Sequence, residues 1–242
     1  MRLQKRYSLI MPTKNELCGL QAILPRIDRS LFHQIIVSDG GSTDGTAAFA
    51  EAEGLVVVQQ PRAGLHDAEE AAYRVFSGDV YIIFTPDGNS LPERLPALIE
   101  KMEEGYDMVI VSRYLDGAVS EDDDVVTGFG NWMFTRLINI LFGSRYTDTL
   151  VAFRAMTNES IIRMRLMTMS DETAIHRRWV YINSWELGST LRAARLRLRV
   201  AEIPGDEPRR IGGVRKMSIV KNGLGAVAQI IWDFVSFWPA RE

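Results

Sequence analysis

The chain has 242 residues, 46% hydrophobic and 24% charged, which suits one large domain with a substantial core and excludes a disordered or fibrous polypeptide. A net charge of −3 gives no global basic field for nucleic acid, and the single cysteine, Cys18, excludes an internal disulfide and fits a reducing, cytoplasmic setting. Charge is unevenly spread, with 16 Lys and Arg against 25 Asp and Glu over residues 1–175, but 11 against 4 over residues 176–221. A local anionic partner, such as a phosphate or a lipid headgroup, is one reading of that basic segment, and a solvated basic face is the other.

The N-terminal stretch MRLQKRYSLIMPTKNE is too short in apolar residues for a signal peptide, and no run reaches the ~18 uncharged apolar residues of a membrane span. Short β-branched runs follow at Ser8–Met11, Ile35–Ser38, Val56–Gln59, Val80–Phe84 and Met108–Val111, each of the length and apolar continuity of a strand buried on both faces. Helical patterns lie between them at Leu17–Ile27, Thr46–Ala52, Asp67–Phe76 and Glu93–Glu103, with helix-start signals at Asp44 and Pro92. Strands alternating with helices in this way predict βαβ units and an open α/β sheet.

The second half reads differently. Thr127–Phe142 predicts a helix with a broad apolar face, and Leu191–Ile203 a helix that gives way to a strand at Leu196–Ile203. PGDEPRRIGG is a loop by its Pro and Gly content. Leu224–Trp238 places apolar and aromatic residues on one helical stripe, which suits packing on its own domain, on a second subunit in a homodimer, or on a membrane surface. The expected organisation is one domain over residues 1–221 and an amphipathic aromatic helix over 222–242.

In open α/β sheets the ligand crevice lies beyond the carboxyl ends of the strands, so the segments that follow them carry the chemistry. In TPDGNS, Asp87 and Asn89 offer a carboxylate and an amide oxygen two residues apart, able to share one hard cation; a turn in which Asp87 only accepts backbone hydrogen bonds uses the same residues. In SDGGSTDGT, Asp39 ends a strand, Gly40 and Gly41 let a ligand approach the backbone, and Ser42 and Thr43 bring hydroxyls. Neither G-x-x-x-x-G-K-[ST] nor G-x-G-x-x-G is present. Arg209, Arg210, Arg215 and Lys216 surround Gly212-Gly213, so this loop can close over an anion.

MPTKNE, IIVSDGGSTDGT, GDVYIIFTPDGN and VSRY, followed by TDTLVAFRAM, resemble glycosyltransferase family 2 in order and spacing over roughly residues 7–160. EIPGDEPRRIGGVRKMS resembles the loop of the family's polyprenyl-phosphate branch, which includes dolichol-phosphate mannosyltransferase-like enzymes. The resemblance implies a GT-A fold, a mainly parallel mixed sheet flanked by helices with a C-terminal helical elaboration. It also implies inverting transfer of a sugar from a nucleotide diphosphate donor to a lipid phosphate or membrane-proximal glycan, with Mg²⁺ or Mn²⁺ and a peripheral place at the inner membrane face. By the same resemblance Pro12, Thr13, Asn15, Glu16, Asp39 and Ser42 hold the nucleoside, Asp67 contacts the base with His66 nearby, and Arg113 lies near the diphosphate or acceptor. Asp87 matches the metal-binding aspartate, with Thr85 where many relatives have a first aspartate. Asp148 and Arg154 match the D-x-x-x-G-F-R segment, with Ala152 in place of its glycine. Glu186 in SWELGS is the candidate general base, which a hydroxyl acceptor requires and an ionised phosphate does not; a glutamate at a helix start that favours the macrodipole is the other reading of the same residue. A sugar nucleotidyltransferase is the rival enzyme reading, although MPTKNE lacks the glycine-rich loop it would need. A catalytically silent nucleotide-sugar-binding protein is the other rival.

Overall fold

The computed structural model describes residues 5–62, 64–169, 184–212 and 219–237. Arg215, Lys216 and Trp238 lie outside the described residues, as do the side chain of Lys221 and the segment before Ser184.

The apolar runs become strands where the sequence predicts them: β1 (Tyr7–Thr13), β2 (Gln34–Asp39), β3 (Val56–Gln59), β4 (Val80–Ile83) and β5 (Met108–Ser112). Two more, β6 (Arg154–Thr157) and β7 (Val200–Pro204), complete a seven-stranded sheet in the order β3-β2-β1-β4-β6-β5-β7. The described pairings are parallel except those of β6, which runs antiparallel between β4 and β5. β4 is buried throughout, as is β5, in keeping with helices packed over both faces of the sheet. β6 carries no strand signal of its own, since RAMT is four residues long, starts on an arginine and has no apolar run.

Between the strands lie α1 (Leu17–Ile23), α2 (Thr46–Ala52), α3 (Leu65–Tyr73) and α4 (Leu95–Glu103). α1 is shorter than Leu17–Ile27 because Pro25 turns its end into a 3₁₀ segment, Leu24–Arg26. Pro92 likewise opens a 3₁₀ turn before α4. Gly45, not Asp44, is the N-cap of α2, yet Asp44 still accepts from Thr46 N at 3.0 Å and from Leu17 N at 3.0 Å, serving two helix starts. The second half holds α5 (Val125–Phe142), α6 (Asn158–Arg163), α7 (Trp185–Arg195) and α8 (Ile219–Ser236). α7 runs to Arg195, so the strand that follows is confined to Val200–Pro204 rather than starting at Leu196.

One part of the interior is charged. Arg154 is fully buried and donates to the carbonyl of Glu186 at 2.6 Å and to the hydroxyls of Ser189 and Thr190. Glu69, also fully buried, accepts from the Tyr81 hydroxyl at 2.7 Å. Burial, and then the neighbouring Glu186, push the Glu69 carboxyl well above its ordinary range. An acid raised in the folded state contributes stability that is complete below its unfolded pKa, about 4.3, and is lost as pH rises toward the folded value. Glu69→Gln keeps an acceptor for Tyr81 and removes the titration. Thermal unfolding against pH is expected to show wild type losing stability relative to this variant from about pH 5 upward; parallel profiles would contradict the assignment.

Candidate active site

Parallel pairing of β1 with β2 and β4 brings three strand ends to one edge of the sheet, with Thr13 opposite Asp39. The first two loops are laced together. Asn15 N donates to Ser42 Oγ at 2.8 Å, Thr43 N donates back to Asn15 Oδ1 at 2.8 Å, and Glu16 N donates to Thr46 Oγ1 at 3.0 Å. Asn15 holds a left-handed φ of 52°, a conformation asparagine tolerates better than most residues. Asp39 is buried, and its Oδ2 accepts from the backbone of Ser42 and Gly41 at 2.9 and 3.0 Å and from Gln59 Nε2 at 3.2 Å. Burial pulls this carboxyl up, but the donors from Ser42, Gln59 and Gly41 outweigh it and hold the pKa below the ordinary value. Asp39 is therefore anionic at neutral pH, beside Pro12 and Thr13.

The Asp87 turn follows β4. Gly88 has a φ of +94°, and a Cβ there would come within 2.7 Å of Ile211. From the other side Gly19 of α1 meets the turn, with space for no side chain. Asp87 Oδ1 accepts from Asn89 N at 3.2 Å, and Oδ2 binds Arg210 Nη1 at 2.7 Å. Asn89 donates its Nδ2 to Pro208 O at 2.8 Å, while its Oδ1 is buried with no hydrogen-bond partner among the described residues.

A strap formed by residues 205–212 crosses this edge. Gly205 packs on Val111, Ile211 N donates to Asp87 O at 2.7 Å, and Gly212 lies against Cys18. Along it, Arg210 bridges Asp87 and Asp122, with Nε 3.2 Å from the second carboxylate. Arg113, at the end of β5, makes a two-pronged pair with buried Asp148 (2.6 and 3.0 Å) and reaches Glu207 of the strap at 3.1 Å. The strap thus gathers Asp87, Asn89, Arg113 and Arg210. Arg209 on the same segment is exposed.

Three sequence-singled residues lie elsewhere. Asp67 is buried and paired with Arg62 Nε at 2.8 Å, beside buried His66. Arg154 points into the core and not at the strap. Glu186 is buried with its carboxylate accepting from the Ser184 hydroxyl, and among the described residues it makes no hydrogen bond to the Asp87 turn. Two carboxylates went unread: Glu207, whose only signal was its place in the basic loop, and Asp122, one of four consecutive acids.

Residues 8–164 match the family model "Glycosyl transferase family 2", and the chain belongs to that family. It is 32% identical over 163 residues to "Glycosyltransferase AglJ" of Haloferax volcanii, covering 65% of this chain and 52% of that protein. The chain thus spans about half the length of that relative. It is 28% identical over 243 residues to the "Undecaprenyl-phosphate mannosyltransferase" of Micrococcus luteus, covering 96% of each. Among solved structures, glucosyl-3-phosphoglycerate synthase from Mycobacterium tuberculosis, crystallised with Mn²⁺, UDP and phosphoglyceric acid, superposes with a TM-score of 0.70 at 18% identity, over 98% of this chain and 81% of that one. The fold is GT-A.

Gly19 offers a direct check on the packing of the turn. Alanine inside a helix gains about 1 kcal/mol over glycine, but here its Cβ would lie 2.3 Å from Pro86 O, where overpacking costs about 1–3 kcal/mol. Because the contact is with a backbone oxygen that cannot swing aside, the upper end of that cost applies, and denaturant unfolding of Gly19→Ala is expected to show a net loss of about 2 kcal/mol. A variant as stable as wild type would mean that the turn yields freely.

Proposed function

We propose that the chain transfers a sugar, with inversion, from a nucleotide diphosphate donor to a polyprenyl phosphate. The observation that carries this reading is the strap, which sets Arg210 on Asp87, takes up Asn89 through Pro208 and is tied through Glu207 to Arg113, beside the laced loops that follow β1 and β2. Support for a lipid phosphate acceptor comes from the name of the Micrococcus luteus relative, an undecaprenyl-phosphate mannosyltransferase that matches this chain over nearly its whole length.

In this reading Asp39, Thr13 and the Asn15–Ser42 lacing hold the nucleoside, with Pro12 and Glu16 at its rim and Asp67 on the base side. Arg210, Arg209 and Arg113 bind phosphate oxygens, guanidinium being suited to two-pronged contacts. In the sequence Lys216 follows six residues after Arg210 and would add a further cation. The residues fit a hard divalent cation, Mg²⁺ or Mn²⁺: Asp87 supplies a carboxylate and Asn89 a buried amide oxygen with no partner among the described residues. Among the described residues no three His, Cys, Asp or Glu side chains cluster to hold a metal by themselves, so diphosphate oxygens and water would complete the shell. When bound, such an ion neutralises charge that builds on the departing diphosphate.

The acceptor phosphate oxygen forms the new bond to the anomeric carbon as the bond to the diphosphate oxygen breaks, and the electron pair leaves with the nucleoside diphosphate. An ionised phosphate has no proton to lose, so this reaction requires no general base. Glu186 would act as a base only toward a hydroxyl acceptor.

The test is transfer from a nucleotide-sugar panel to polyprenyl phosphate in detergent, with and without Mn²⁺. Asp87→Ala is expected to lower kcat/KM by a factor of at least ~10², and unchanged turnover would sink the site. Glu186→Gln separates the acceptor classes. With a phosphate acceptor its rate should stay within about tenfold of wild type, whereas loss of a base costs ~10²–10⁴. A loss of that size in a variant of unchanged thermal stability would favour a hydroxyl acceptor.

A further inference from the structure

The strap and the loop over residues 115–124 are joined as one piece. Glu207 N donates to Val119 O at 3.0 Å and Glu121 N to Glu207 O at 2.8 Å, so the two segments pair as a short parallel bridge at Ser120 and Glu207. Side chains add to it. Val119 N donates to Asp206 Oδ1 at 2.9 Å, the Ser120 hydroxyl donates to the Glu207 carboxylate, and Asp123 N donates to Ser120 Oγ at 3.1 Å. Arg113 ties Glu207 to the end of β5 at 3.1 Å. Contacts of Val119, Ser120, Glu121 and Asp123 therefore place Asp122 beside the strap without help from Arg210.

Arg210 stands between this piece and the sheet, and it holds its two carboxylates unequally. Nη1 lies 2.7 Å from Asp87 Oδ2, while Nε lies 3.2 Å from Asp122 Oδ2. A guanidinium carries five N–H donors in one plane, and its strongest pairing with a carboxylate is two-pronged. Both Arg210 and Asp122 are partly buried, with side chains 25% and 17% exposed, where solvent screens a pair less than at an open surface. In the reading above, a divalent cation claims the Asp87 oxygens, so the guanidinium loses that partner and gains a positive neighbour. A partly buried cation stripped of its carboxylate is costly. Asp122 is a carboxylate already in place, and its pair with Arg210 can tighten as the pair with Asp87 opens.

We propose that Asp122 is a positioning residue for the transfer reaction: it takes over Arg210 when a divalent cation occupies Asp87, so that metal binds without driving the arginine from the site. The inference rests on the metal and donor reading above. Asp122 acts through Arg210 and supplies no ligand of its own; among the described residues no group of three His, Cys, Asp or Glu side chains forms a metal cluster with it. Arg210 changes partner and stays on the strap at the same edge of the sheet, still charged and available to diphosphate oxygens. Asp87 belongs to the sheet, whereas Arg210 and Asp122 belong to the strap and the loop bridged to it, so the exchange moves the arginine from a contact across two parts of the molecule to one within a single part.

The experiment is a double-mutant cycle read by Mn²⁺ binding to the nucleotide-free protein, with wild type, Asp122→Asn, Arg210→Gln and the double variant. Asp122→Asn is expected to weaken Mn²⁺ binding about tenfold, about twofold of it from loss of a nearby charge screened by solvent and the rest through Arg210. In the Arg210→Gln background only the part of about twofold should remain. Asp122→Glu keeps a carboxylate for Arg210 and should bind Mn²⁺ within about threefold of wild type. Asparagine matches aspartate in shape, and unchanged circular dichroism verifies that the variants fold. Wild-type affinity in Asp122→Asn overturns the proposal. A tenfold loss that persists without Arg210 overturns it too, since Asp122 would then act on the cation directly. Mn²⁺ binding indifferent to Asp87→Asn sinks the metal reading itself, whereas binding that needs Asp87 but shows no coupling between Asp122 and Arg210 sinks only the role of Asp122.

Discussion

The ion pair between Asp87 and Arg210 joins the two halves of the molecule at the point where chemistry is expected. Asp87 is placed by the sheet, at the end of β4, and Arg210 by a strap that leaves β7 and crosses back over the strand ends. Each flank of the turn is closed by a glycine, Gly19 toward α1 and Gly88 toward the strap, so the carboxylate is held on both sides by backbone. The strap is fixed independently at Gly205, Glu207, Pro208 and Ile211. Arg210 therefore lies over the carboxylate that, in the proposed reading, a divalent cation would also claim, and the two positive partners would compete for the same oxygens.

Arg113 anchors the other end of this arrangement. Burial works against its charge, yet Asp148 and then Glu207 more than compensate, so it remains a cation with much of its hydrogen-bonding capacity already spent on the protein. It orders the strap as much as it faces the open edge. Breaking such a pair strands the buried Asp148 without its partner, which costs far more than an exposed pair would. The acidic body and basic C-terminal segment noted in the composition meet here, where Arg210 of the strap finds Asp87 and Asp122.

The strands that end at the Asp39 and Asp87 loops were legible because a strand buried on both faces must be an uninterrupted apolar run, and because glycine and aspartate at its end mark a turn. β6 was not legible, since its arginine is stabilised by carbonyls and hydroxyls from α7 that no local pattern reveals. Helix α5 was legible as a helix but not in its orientation: periodicity reports an apolar face, and only the packing shows that Asn131 and Thr135 point inward while Trp132 points out. Glu207 and Asp122 were hidden for another reason. A carboxylate in a charged loop acquires a role only from the partner that folding delivers, here Arg113 and Arg210 respectively.

The central claim is that Arg210 holds the Asp87 carboxylate in a place a divalent cation takes over. Its most direct measure is Mn²⁺ binding to the nucleotide-free protein, followed by the electron paramagnetic resonance of free Mn²⁺, for wild type and Arg210→Gln. Removal of the competing guanidinium is expected to tighten Mn²⁺ binding by about tenfold, with Asp87→Asn abolishing it in both backgrounds. Equal affinity in wild type and Arg210→Gln, or binding that survives Asp87→Asn, would contradict the account.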